Sequence, residues 1–385
     1  MANRLVCTGV VHKPTLALRA REQLYAETTV LLGDPTLPDS VKRGGTFNEE
    51  DMVTIQKMKD ALATIPGVKF NYIDNHPSLI NTLLSKRPKF VLNLCDEGFD
   101  NIATQELHVP ALLEMLGIPY TGAGPQCLGM CYNKSLVAAL AESLDIPVPL
   151  ETYFDPDDQA ANLPSVFPAL VKPNFGDNSI GITQNAVVRD STELLEYLNK
   201  LWESMPNTPV LIQEFLSGPE YSIGIIGNPG LSMDYLPPLE VDYYGLDPKL
   251  PKILGYESKW DPNSPYWTQI KYKEAEIDEE TRRKLYDYSS ILFERLGCRD
   301  YARFDFRADA EGEVKLLEVN PNPGWCWDGK FNIMCGFAGM GYSEMLLRVL
   351  DAAEERIKNP ICDPQLSNGN TNGNGGGLIF NGKAA

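Results

Sequence analysis

Three observations in this 385-residue sequence predict a mixed α/β and α+β chain that begins with an open α/β sheet. Strand-like and helix-like segments alternate through residues 1–130, the pattern of a parallel sheet covered by helices. From Ala169 onward, strand segments are interrupted by only two long helices. The stretch Tyr301–Asn320 reads as a hairpin whose strands each carry polar residues on one face. A chain of this length exceeds one compact core, so two or three packed domains are expected.

Taken in order, Arg4–Val11 is a short apolar run and Asn48–Ile65 a helix. Val68–Ile73 and Phe90–Leu94 are strands, the second a continuous apolar run suited to a buried parallel strand. Glu106–Leu116 places Leu107, Ala111, Leu112 and Met115 at helical spacing, and Gly117 stops it. Asn133 caps a helix over Lys134–Leu144, ended by the turn Asp145–Pro149. Ala169–Lys172 and Val210–Glu214 are strands flanking a helix, Ser191–Trp202. Tyr221–Ile226, Tyr301–Arg307 and Val314–Val319 follow, with a helix at Glu279–Leu296. Val241–Thr268, rich in Pro, Gly, Asp and Tyr, reads as a long functional loop. Its aromatics (Tyr243, Tyr244, Tyr256, Trp260, Tyr266 and Trp267) suggest that it covers a substrate. After about residue 364 an Asn/Gly-rich run predicts a flexible tail.

Hydrophobic residues make up 43% and charged residues 22%, a globular balance. The formal net charge of -18 argues against a nucleic-acid or anionic-membrane partner, both of which select a basic face. Small-molecule partners remain. Eight scattered cysteines without Cys-x-x-Cys spacing, and three histidines far apart, argue against a structural zinc site. With no 18-residue apolar run and no export signal, a cytoplasmic protein is expected.

The hairpin carries the most chemistry. Arg303 and Asp305 share one face of its first strand, and Glu318 and Asn320 one face of its second. A two-residue turn at Glu311-Gly312 would set Asp305 opposite Glu318 and Arg303 opposite Asn320. Opposed carboxylates need a cation between them, and magnesium suits hard oxygen ligands from Asp305, Glu318 and Asn320.

At this hairpin the sequence resembles the D-alanine–D-alanine ligase branch of the ATP-grasp superfamily. The residues that carry the likeness are Arg303-Phe-Asp305 and Leu317-Glu-Val-Asn-Pro-Asn-Pro-Gly324. Further matches run in order: Leu113–Gly124, Asn133-Lys134, Val171–Gly181, Glu214–Glu220 and Tyr256–Lys259. The resemblance implies a three-domain ATP-grasp fold divided as 1–132, 133–216, 217–360 and a tail, 361–385. It implies an ATP-dependent carboxylate–amine ligase working through an acyl-phosphate, with ATP and Mg²⁺ (or Mn²⁺ in its place) as cofactors. A homodimer is also implied. By the same resemblance Lys134 and Lys172 contact ATP phosphates, and Lys259 approaches the transferred phosphate. The loop Asn174–Gly181 closes over them through Gly176, Asn178, Ser179, Ile180 and Gly181. The backbone of Glu214, Phe215 and Leu216 reads adenine, and Glu220 holds the ribose hydroxyls. Asp305, Glu318 and Asn320 hold the metal, while Arg303 and the Gly324 backbone stabilise the oxyanion.

The sequence departs from the family where amino acids should bind. Val10–Thr15 stands where the family has a glycine-rich, glutamate-containing turn, and Cys95–Asn101 replaces a His-Gly-rich acidic segment. Trp325-Cys-Trp-Asp-Gly-Lys330 replaces the Ser/Thr-rich residues that hold the acceptor carboxylate, and Trp260 replaces a tyrosine. The substrate-facing candidates are therefore Glu97, Trp260, Trp325, Trp327 and Lys330, with Lys330 a candidate partner for a carboxylate. The tryptophans also fit a plain core role. A kinase-like phosphotransferase and a non-catalytic nucleotide-binding regulator are the alternative functions. Arg303 and the Pro-Gly segment weigh against the first, and the complete lysine and carboxylate set against the second.

Overall fold

The computed structural model describes residues 23–157, 166–176 and 179–360. The run Arg4–Val11, the segment Val10–Thr15 and the tail lie outside them. The first described strand is instead β1 (Glu27–Leu31), which sequence patterning passed over. It is followed by α1 (Glu49–Ala63), β2 (Lys69–Ile73), α2 (Leu79–Lys86) and β3 (Val91–Asn93). Asn48 caps α1 through the amides of Glu50 and Asp51, and Asp51 returns a bond to the Asn48 amide. The three strands are parallel in the order β2-β1-β3, so the chain changes direction at β1.

Helix α3 (His108–Leu116) buries Val109 and Leu113, whereas Met115 is 84% exposed. The apolar stripe expected over Leu107, Ala111, Leu112 and Met115 is thus rotated. Val109 and Pro110, a β-branched residue and a proline in the first turn, face the sheet instead. Gly117 ends α3 with φ 62°. Helix α4 (Pro125–Cys131) leads into α5 (Lys134–Glu142), capped by Asn133 as expected.

The second sheet is antiparallel, ordered β4-β7-β5-β6 from β4 (Glu151–Phe154), β5 (Ala169–Pro173), β6 (Val187–Val188) and β7 (Val210–Glu214). Helix α6 (Ser191–Ser204) covers it through Leu194, Leu198 and Leu201.

A third sheet contains β8 (Glu220–Gly227), β9 (Met233–Tyr235), β10 (Leu239–Asp242), β11 (Lys271–Glu274), β12 (Tyr301–Ala308) and β13 (Val314–Asn320). Its order is β11-β10-β8-β12-β13, with β9 paired to β8. Two short helices, α7 (Glu257–Trp260) and α8 (Pro265–Gln269), interrupt the region read as one loop. There Tyr266 and Tyr243 are buried, while Tyr244 is 95% exposed. Helix α9 (Glu279–Leu296) lays Leu292 and Phe293 on Phe304 and Phe306. Alternation along β12 then turns Arg303, Asp305 and Arg307 to the opposite face.

Helices α10 (Lys330–Phe337) and α11 (Tyr342–Lys358) close the chain, and α11 shares a core with α1 and the first sheet. Arg356 fixes the junction. It donates to both Asp300 oxygens (2.8 and 2.9 Å) and to the Tyr120 carbonyl (2.9 Å). No single described helix is long and apolar enough to cross a membrane.

Candidate active site

A cleft of about 340 Å³ lies between the second and third sheets and reaches the loops after β3. Its floor is the β12–β13 hairpin. Register there pairs Arg303 with Asn320 and Asp305 with Glu318, as the sequence requires. The turn is not the tight one expected. Residues 309–313 form a longer loop in which the Asp309 carboxylate accepts from the amides of Glu311 (3.0 Å) and Glu313 (2.8 Å). Beyond it Phe306 pairs with Leu316, and a bulge at Leu317 restores the Asp305–Glu318 register.

Asp305 is the centre of charge. Arg303 Nε and Nη2 donate to its two oxygens at 3.0–3.2 Å, and Ser222 Oγ donates at 2.5 Å. Lys330 Nζ stands 3.8 Å away, and Asn320 Nδ2 donates to Oδ2 at 3.2 Å. Burial pushes this carboxyl up, but Arg303 and Lys330 outweigh burial and hold it well below the usual carboxylate range. Lys330, read as a candidate for a substrate carboxylate, sits instead among Asp305, Ser222 (3.3 Å) and Glu220 (3.9 Å).

Lys172 lines the cleft from β5, is 4% exposed, and makes no hydrogen bond or ion pair among the described residues. Burial, then the charge of Lys134, lowers its ammonium to about 8 against the pull of Glu318 and Glu151. Lys134, at the start of α5, occupies an adjoining side pocket with Glu318 and Asn320, its Nζ donating to the Gly176 carbonyl. Asn174 joins these pieces. It is fully buried, accepts from the Ser135 amide (3.0 Å) and donates to Asn133 Oδ1 (3.0 Å).

Of the loop above, Asn178 lies outside the described residues. Gly176 lines the side pocket, and Ser179 lines the cleft with φ 59°, its Oγ donating to the Leu254 carbonyl (2.8 Å). Ile180 and Gly181 are not cleft residues. Gly181 has φ 73°, and a Cβ there would meet Pro173 at 2.7 Å, so it serves packing. Lys259 lines the cleft from α7 together with Ile253 and Leu254. Of the region 241–268, the cleft is lined by Ile253, Leu254 and Lys259, and by none of the six aromatics.

Glu214, Phe215, Leu216 and Glu220 line the cleft. The Glu214 carboxylate is paired with Lys315. Glu220 accepts from Tyr243 Oη (2.7 Å) and stands 3.5 Å from Arg307. Arg307, missed from sequence, lies under Phe215 and Tyr243, with one buried nitrogen, Nη2, unpartnered. Its two-residue spacing from Asp305 was the available signal. Ser222 carried none, because only the β8–β12 register brings it to Asp305.

Gly324 opens onto the cleft, and no atom lies within 4 Å of where its Cβ would be. Trp325 is buried, its indole N–H donating to the Leu94 carbonyl (2.8 Å) and Asp96 Oδ1 (3.1 Å). Trp327 is 39% exposed under the Lys57 ammonium (3.3 Å), and Trp260 does not line the cleft. Glu97 is paired with Lys42 (3.0 Å). Asp96 and Glu106, between β3 and α3, line the cleft and were also missed.

Asp305, Glu318 and Asn320 offer two carboxylates and one amide on neighbouring positions of one wall. Hard oxygen donors of this kind fit Mg²⁺ or Mn²⁺. No group of three His, Cys, Asp or Glu suited to a metal occurs among the described residues.

The family model described as D-ala D-ala ligase C-terminus matches residues 155–351. A D-alanine--D-alanine ligase of Halalkalibacterium halodurans is 28% identical over 313 residues, 80% of this chain and 96% of the relative. That of Haemophilus influenzae is 27% identical over 276 residues (68% and 86%). The uncharacterized protein y4sG of Sinorhizobium fredii is 29% identical over 252 residues (65% and 70%). Among solved structures, the D-alanine--D-alanine ligase from Bacillus anthracis complexed with ATP superposes with a TM-score of 0.65 at 21% identity, covering 87% of this chain and 99% of that one. VanG D-Ala:D-Ser ligase from Enterococcus faecalis gives 0.60 at 19%, covering 85% and 99%. At these identities the structural likeness shows the fold.

Proposed function

The chain belongs to the D-ala D-ala ligase C-terminus family, and from that premise we propose an ATP-dependent ligase that joins a carboxylate to an amine through an acyl-phosphate, releasing ADP and phosphate. Its fold is that of the ATP-grasp ligases. One observation supports the reading above all. Lys172, Lys259, Arg303 and the Asp305–Glu318–Asn320 group, from three separate stretches of sequence, line a single cleft.

A carboxylate resists amines because its carbon already bears negative oxygen; phosphorylation makes it reactive. The protein's task is to position the reactants and offset charge. Phe215 and Leu216 enclose the adenine beside the Glu214 backbone, and Glu220 receives the ribose hydroxyls. Lys134, Lys172 and Lys259 hold the phosphates, while Ser179 and its neighbours exclude water from the acyl-phosphate. Asp305, Glu318 and Asn320 would hold Mg²⁺, which supplies charge neutralisation on the phosphates when bound. Arg303, with the Gly324 amide, stabilises the oxyanion that forms as the amine attacks.

The test measures phosphate release from MgATP with amino acids and small carboxylates, singly and in pairs, by mass detection. ADP with a new amide from one pair bears the reading out. ADP without an amide would replace it with a phosphotransferase.

A further inference from the structure

Alternation along β8 puts Glu220, Ser222 and Gly224 on one face, and the register sets them opposite Arg307, Asp305 and Arg303 of β12. The two carboxylates on this face each have an arginine. Arg303 meets Asp305 at 3.0 Å, and Arg307 stands 3.5 Å from Glu220. Lys330 adds a third cation. Its ammonium donates to the neutral Ser222 Oγ at 3.3 Å. Asp305 Oδ1 and Glu220 Oε1 lie at 3.8 and 3.9 Å, too far for a hydrogen bond. The Lys330 side chain is only 13% exposed, yet among the described residues its ammonium uses one of three donors.

Packing fixes where this ammonium stands. Gly224 has no side chain, and a Cβ there would meet Leu236 at 2.7 Å, Met334 at 3.1 Å and Phe331 at 3.2 Å. The missing side chain lets α10 lie against β8, with Phe331 and Met334 buried. Lys330 is the first residue of α10, so this seat carries its ammonium to Ser222 and into the cleft. Unused donors on a confined ammonium favour an anionic ligand.

The order of groups along a nucleoside triphosphate selects the anion. Resting on the ligase reading, in which Glu220 receives the ribose and Asp305 belongs to the metal set, we propose that Lys330 contacts the α-phosphate of the nucleotide. That phosphate joins the ribose to the two outer phosphates. Lys330 stands correspondingly near both carboxylates, whereas Arg303 is paired with Asp305 and Arg307 with Glu220. An ammonium is a point charge on a flexible stem, so it can turn from Ser222 to a phosphate oxygen while α10 keeps its seat. Lys330 is then a nucleotide residue and not the partner of a substrate carboxylate.

Adenosine and AMP differ only in that phosphate, and neither needs a metal to compare them. Calorimetric titration of the full chain with each, and with ATP, is carried out for the wild type, Lys330→Met and Lys330→Arg, with Tm recorded for every variant. AMP should bind the wild type about tenfold more tightly than adenosine, the gain from one charge-assisted hydrogen bond. Lys330→Met should weaken AMP alone and bring the two within about twofold, and Lys330→Arg should restore part of the difference. A wild type that binds both equally overturns the proposal without any variant. So does a Lys330→Met chain that keeps the wild-type preference for AMP, or one that loses adenosine as much as AMP, which would make Lys330 a support for Glu220. If the wild type binds none of the three nucleotides, the ligase reading falls and takes the proposal with it.

Discussion

Arg303 grips Asp305 two residues along the same strand, with Nη2 3.0 Å from Oδ2 and Nε within 3.2 Å of both carboxylate oxygens. The pairing places the guanidinium on the face of the cleft that Gly324 also lines. Arg303→Ala should lower amide formation by about 10²- to 10³-fold, the usual cost of one oxyanion donor. ATP binding should change little, because Lys172 and Lys259 are untouched. Single-turnover amide formation beside nucleotide titration separates the two, and wild-type turnover would remove the oxyanion role.

Lys172 is buried without a partner, and burial lowers its ammonium to about 8. The unfolded chain, at the ordinary lysine value, holds that proton over a pH range where the folded chain has released it. Stability contributed by this residue therefore rises as pH climbs from about 8 toward the ordinary lysine range. ATP affinity should move the other way and fall above about pH 8, because the phosphates need the charged form. Lys172→Met should raise Tm, weaken ATP binding by about tenfold and flatten its pH dependence. A Tm loss with unchanged ATP affinity would mark Lys172 as structural.

Elements with strong local signals were legible in the sequence: the Asn48 and Asn133 caps, the Gly117 stop and the alternating strand β12. The Asp305–Glu318 register emerged for a reason that did not hold. A tight turn was assumed, and the five residues 309–313 with a bulge at Leu317 yield the same pairing. Two offsetting irregularities cancel, and neither leaves a mark in the hydrophobic pattern. Strand β1 was overlooked because Glu27, Thr28 and Thr29 dilute its apolar signal, although Thr28 is buried and bonded to the Tyr25 carbonyl.

Glu318 bears on the metal. It faces Asp305 across the hairpin, but Asp305 is already surrounded by Arg303, Lys330 and Ser222. Glu318→Gln removes a negative donor with almost no change of shape. The Mg²⁺ concentration for half-maximal activity should rise by about ten- to a hundredfold, with the melting temperature little altered. An unchanged Mg²⁺ requirement would take Glu318 out of the metal set.

Asn174 couples stability to nucleotide binding. Its carbonyl accepts from the Lys134 amide (3.1 Å), its side chain bonds the Ser135 amide and Asn133, and Phe175 bridges to Asn133. The helix start carrying Lys134 is thereby fixed to the base of the glycine-rich loop. Asn174→Ala leaves the half-buried Ser135 amide without its acceptor, a loss of about 1 kcal/mol. It also frees Lys134 from the position that faces Glu318 and Asn320 in the side pocket. Both Tm and ATP affinity should fall, and saturating MgATP should recover more of the Tm loss in this variant than in a core variant such as Leu198→Ala, a position on the buried face of α6 that does not line the cleft. Equal recovery in the two would show that Asn174 stabilises the fold without organising the phosphate site.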